Sequence, residues 1–185
     1  MNDGIKKYIF FTSIILLLSI MLGFFTGRND PELARKAIGG FSAFDYVKEL
    51  NPFFVFLIIF LNNSIKTLAV LFLGFFFGIA PFFFIFFNGY VIGLVVFVAA
   101  EKIGALNVLA ALAPHGVLEL PAVVIAGSYG IWLGAKFYRK VRYGEPFRWA
   151  LSFVLKKYSY IVLPALFIAA IIEAYISAQI INRIS

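Results

Sequence analysis

Residues 51–100 read "NPFFVFLIIFLNNSIKTLAVLFLGFFFGIAPFFFIFFNGYVIGLVVFVAA", and Lys66 is the sole charged residue among them. A bilayer accommodates such a run, because its hydrocarbon layer takes about 20 apolar residues per helical crossing. Asn51-Pro52 is a helix start: the asparagine oxygen caps free backbone N–H groups, and proline suits the first helical position. The turn signal "GIAPF" (78–82) then divides the run. Two spans result, 52–79 and 82–100.

The flanking sequence has the same character. Of 185 residues, 63% are hydrophobic and 24 are phenylalanine, and the mean hydropathy is +0.98. A soluble domain of this size would leave too much apolar surface in water. The chain is therefore an integral membrane protein with one membrane domain, 1–185. Its first apolar stretch, "YIFFTSIILLLSIMLGFFTG" (8–27), follows Lys6 and Lys7 as a signal peptide would. It is long enough to span and no small-x-small cleavage site follows, so 8–26 reads as a retained span. Two more spans fall at 114–137 and 158–180. The piece "ALNVLAALA" (105–113) is too short to cross and reads as re-entrant or interfacial.

The fold class is an all-α bundle of about five transmembrane helices, with a short external helical cap at 27–50 and a cytoplasmic amphipathic segment at 138–157. In the cap, Asp30-Pro31-Glu32 starts a helix and Gly39-Gly40 stops it. Ser42 with Asp45 forms a capping box for a second short helix. In the amphipathic segment Trp149, Leu151, Phe153 and Val154 are the apolar members expected to lie on lipid.

Charge sets the orientation. The net charge is +7, gathered at the edges of apolar segments. That pattern points to membrane topology and anionic lipid at the cytoplasmic face, not nucleic acid. Lys136, Arg139, Lys140, Arg142, Arg148, Lys156 and Lys157 surround the single acid Glu145, and Lys6 and Lys7 precede the first span. Five crossings put both groups inside. This predicts a multi-pass protein of the cell membrane, N-terminus inside and C-terminus outside. The absence of cysteine excludes disulfides and thiolate metal sites.

Gly74/Gly78, Gly89/Gly93 and Gly130/Gly134 each make a G-x-x-x-G pair. Such pairs let helix backbones approach closely in lipid. They predict tight packing of the second, third and fourth spans, or a homo-oligomer through the same faces.

Polar groups inside spans are costly unless paired or wet, so they mark candidate sites. They are Asn62, Asn63 and Lys66 in the second span, Asn88 in the third, His115 and Glu119 in the fourth, and Glu173 in the fifth. With the fourth span starting near Pro114, Glu119 falls about 7 Å below its outer end, and Glu173 about 10 Å below that of the fifth. The two acids then share a level, with His115 one turn above Glu119. Pro121 cannot donate to the Val117 carbonyl, which predicts a distorted first turn and a free acceptor beside this cluster.

The order "LNNSIKTLAVLFLG", "FFNGYVIG", "APHGVLELPAVVIAGSYGIWLG" and "AAIIEAYI" resembles the stage II sporulation protein M family of prokaryotic membrane proteins. The resemblance covers about residues 50–180. It places Asn63, Asn88, Gly89, His115, Gly116, Glu119 and Glu173 on the family's signature positions. It implies a multi-spanning inner-membrane protein. In spore formers, members work with cell-wall remodelling proteins during engulfment, and the family extends to organisms that never sporulate.

Three readings of the polar cluster stand side by side. His115 and Glu119 can hydrogen-bond and hold helices together. His115, Glu119 and Glu173 can ligate a divalent ion such as Zn²⁺, with an asparagine oxygen or water completing the set in a polar chamber formed with Asn62, Asn63, Lys66 and Asn88. Or the acids and the imidazole can relay protons or ions. The favoured function is a non-enzymatic scaffold or membrane-protein partner in envelope processes. The alternatives are a metal-dependent intramembrane hydrolase, with Glu119 as base beside an ion on His115, and a transporter of an ion or small polar solute.

Overall fold

The computed structural model describes residues 3–39 and 51–177, with the side chains of 3, 109–115, 176 and 177 outside the description. All regular structure in the described residues is helical. Helix α1 is Asp3–Asn29, α2 Pro31–Gly39, α3 Pro52–Leu73, α4 Ile79–Ile103 and α5 Ala105–Tyr143. Helix α6, Arg148–Lys157, passes through a wider π-turn (Tyr158–Val162) into α7, Leu163–Ile172, and ends in a second π-turn, Glu173–Ser177. Five stretches of these helices are long and apolar enough to cross a membrane. The capping box at Ser42 and Asp45 lies outside the described residues.

Local chemistry sets the helix ends. Asn51 caps α3 by accepting from the Phe53 N–H at 2.9 Å, with Pro52 at the first position. Asp30 accepts from the Leu33 N–H at 2.9 Å and starts α2. The α3–α4 turn needs positive φ at Phe77 and Gly78 (54° and 79°), so the expected second span, 52–79, ends at Leu73 instead. Gly104, at φ 81° and ψ 150°, alone separates α4 from α5. Few other residues tolerate that backbone.

Two segments have bounds other than expected. The piece 105–113 is not a separate re-entrant segment: its backbone continues into α5, a single helix of 39 residues that holds both Pro114 and Pro121. Proline is tolerated inside membrane helices because neighbours re-satisfy the freed backbone groups. Nor does 138–157 form a single helix: beyond the end of α5 its helical part is α6, Arg148–Lys157. Helix α5 runs to Tyr143, Gly144 caps it, and Arg148–Tyr175 forms one span-length helix. Its Trp149 and Phe153 rings meet Trp132 of α5 at 5.7 and 5.9 Å, while Ala150 and Val154 are buried. Protein covers part of this face, while Trp149 stays exposed.

Helix α5 is the hub, packed against α1, α3, α4, α6 and α7. One face sends Ala122, Ala126, Tyr129 and Leu133 into a core with Leu71, Val154, Val162 and Leu166. Another sends Val123 and Val124 against Ile15, Leu16 and Ile85. Helix α2 folds back so that Ala34 meets Leu94 and Phe97, and Arg35 pairs with Glu101 at 2.8 Å.

Glycines set the closest approaches. Gly74 and Gly78 lie against Gly130 and Gly134, where an added methyl would collide with facing backbone. Gly89 and Gly93 do not face α3, as expected, but α1: a methyl on Gly93 would strike the Ile20 carbonyl and the Phe24 amide. The reciprocal pair is Gly23/Gly27, whose added methyls would strike Tyr90 and Phe97. All these faces are covered within the chain.

Candidate functional site

A polar belt crosses the bundle between α3, α5 and the start of the last helix. Asn62 donates to Asn63 Oδ1 at 3.4 Å, and Asn63 Nδ2 donates to Glu119 Oε1 at 3.1 Å. One turn on, Thr67 donates to the Asn63 carbonyl at 2.7 Å. The Tyr158 hydroxyl donates to the Ser64 carbonyl at 2.7 Å and lies 3.2 Å from Thr67 Oγ1. Ser64 Oγ is buried with no partner among the described residues. Helix periodicity explains the alignment: Asn63, Ser64 and Thr67 share the inward stripe of α3. Ser64, Thr67 and Tyr158 were not singled out in the sequence. A serine–threonine pair within one turn of an asparagine was the available signal.

The other expected members fall elsewhere. Asn88 Nδ2 donates to the Phe84 carbonyl of its own helix at 2.7 Å. Lys66 is exposed and makes no hydrogen bond or ion pair among the described residues. Val117 and Pro121 are exposed. They sit on the side of α5 away from Glu119, because two residues along a helix are about half a turn apart. The Val117 acceptor is therefore not part of the cluster. The His115 backbone lies in α5, four residues before Glu119. Its side chain lies outside the description.

Glu173 does not share a level with Glu119. Phe167 packs on Phe56 and Phe60 at 5.2 and 5.4 Å, Tyr158 bonds at Ser64, and Phe153 meets Tyr129 at 6.4 Å. Counting rise from each contact puts Glu173 about 15–18 Å from Glu119 along the bundle. The last π-turn contacts both α3 and α5. The expected coincidence fails because α5 starts at Ala105, not Pro114, which sinks Glu119 to about 21 Å from its helix end. Ligands of one metal ion lie within about 2.3 Å of it. At their separation Glu119 and Glu173 do not share one ion; the His115 side chain, the third expected ligand, lies outside the described residues. Among the described residues no three His, Cys, Asp or Glu side chains converge on a metal-sized space.

A family model described as Stage II sporulation protein M matches residues 12–178. The chain belongs to this family. No curated protein and no solved structure matches it. In this sporulation protein M chain, the polar positions that carried the resemblance divide by role. Asn63 and Glu119 join two helices, Gly89 lets α4 approach Ser19 of α1, and Glu173 stands apart in the π-turn that contacts α3 and α5.

Proposed function

We propose that this chain is a non-catalytic membrane module that docks a partner transmembrane segment in envelope processes, through the flank of α3 that carries Lys66. One observation carries the reading: Lys66 is exposed within the span Pro52–Leu73, with no acid against it among the described residues. A lysine on a lipid-facing helix costs up to about 2.5–3.5 kcal/mol at the bilayer centre and less toward the helix end, from which Lys66 lies about 10 Å. A carboxylate on a partner helix would remove that cost. Glu119, the nearest intramembrane acid in height, is already engaged by Asn63. The Asn63–Glu119 bond then serves as a clasp holding α3 on α5, so that the docking face is rigid.

The orientation follows the same reading. Lys6, Lys7, Lys136, Arg139, Lys140, Arg142 and Arg148 gather at one end, whereas the other end mixes Arg35, Lys36 and Lys102 with Glu32 and Glu101. The first end is cytoplasmic under the positive-inside bias. This puts the N-terminus inside and the C-terminus outside in the cell membrane.

In mild-detergent extracts of native membranes, the wild-type chain should migrate in a complex larger than itself. Lys66→Arg should retain that complex and Lys66→Glu should dissociate it, both without loss of thermal stability. A complex that survives Lys66→Glu would contradict the reading.

A further inference from the structure

At the basic end, the first turns of α1 and the last turns of α5 enclose a cleft of about 740 Å³. Lys7, Lys136 and Arg139 line it together with Tyr8, Trp132 and Tyr143, and no carboxylate does among the described side chains. A side lobe of about 250 Å³ opens between Trp132 and Trp149. Lys136 lies at the junction of the two lobes, with its ammonium 5.6 Å from the Trp132 ring and 5.3 Å from the Trp149 ring. The Lys7 ammonium lies 5.2 Å from the Tyr8 ring. Arg139 has one acid partner, Glu145, at 3.5 Å, on the rim and partly exposed. Cations held over aromatic faces keep their charge and most of their donors for a further ligand.

We infer that this cleft is a binding site for the headgroup of an anionic phospholipid, its phosphate held by Lys7, Lys136 and Arg139. The argument is one of chemistry and place. Three cations gathered on one cleft select an anion, and guanidinium with ammonium donors suits phosphate oxygens. Tyrosine and tryptophan belong at the level where apolar chain meets polar headgroup. Phe77 and Tyr138 line the same cleft and are exposed, an apolar margin that suits acyl chains. Basic pockets between membrane helices are suited to anionic headgroups. The inference stands apart from the α3 reading, since no residue of the cleft belongs to α3.

Gly4 borders both lobes and is exposed, and a methyl there meets only Trp132 Nε1, at 3.9 Å. Gly4→Leu therefore plugs the cleft without removing charge. The test is native mass spectrometry of the full chain titrated with phosphatidylglycerol or phosphatidylcholine. Wild type should retain phosphatidylglycerol preferentially, and each of Lys7→Gln, Lys136→Gln and Arg139→Gln should lower retention roughly fivefold. Gly4→Leu should lower it too, and Lys156→Gln/Lys157→Gln, which lies outside the cleft, should not. Equal retention of the two lipids would overturn the site, as would equal loss from the Lys156/Lys157 control. Displacement of phosphatidylglycerol by millimolar inorganic phosphate would overturn the lipid assignment in favour of a soluble phosphate ligand.

Discussion

Two side chains hold the polar belt across helices, Asn63 and Tyr158. Each bonds across helices: Asn63 to Glu119, and Tyr158 to the Ser64 carbonyl and Thr67 hydroxyl. Interhelical hydrogen bonds in membranes are worth about 0.6 kcal/mol on average and up to about 1.7. Asn63→Ala and Tyr158→Phe should each cost an amount in that range, read by thermal or denaturant unfolding in detergent. Asn63→Asp should cost more, because it sets a second carboxylate beside Glu119. Asn63 and Glu119 were legible in the sequence, since amide and acid stand out in an apolar run. Tyr158 was not: a tyrosine near a helix start is expected at the membrane surface, and only the packing of α7 on α3 turns its hydroxyl inward.

Five span-length helices were legible from hydropathy, because the bilayer demands continuous apolar length regardless of packing. Helix ends were less so. Pro114 reads as a start signal in water, yet α5 passes through it, and that nine-residue extension of the start accounts for the misjudged height of Glu119. The glycine pairs were legible as contacts but not as to partner, since a small-residue stripe does not name the helix it meets. Gly23/Gly27 was overlooked inside an otherwise plain first span. Its counterpart gives a clean test. Gly93→Val should destabilise the fold by about 1–3 kcal/mol or more through overpacking against α1. Gly39→Val, where nothing lies within 4 Å of an added methyl, should change stability little. Equal effects of the two, measured by the same melt, would contradict the parallel α1–α4 packing.

At the scale of the molecule, the bundle sorts its charges. One end is strongly basic and encloses an aromatic cleft, the other is mixed and partly paired, and between them Glu119 is tied inward while Lys66 faces out. The proposed docking rests on this contrast between a partly buried acid tied inward and a lysine left exposed within a span. Ala69 is exposed one turn from Lys66 on the same flank of α3, and Phe10 is exposed on α1. The decisive measurement places a photo-crosslinking residue at position 69, or at position 10 as control, in native membranes. Docking at α3 predicts one discrete protein adduct from position 69, absent from position 10 and lost when Lys66→Glu is added. Matching adduct patterns at both positions, or an adduct at 69 indifferent to Lys66→Glu, would contradict it.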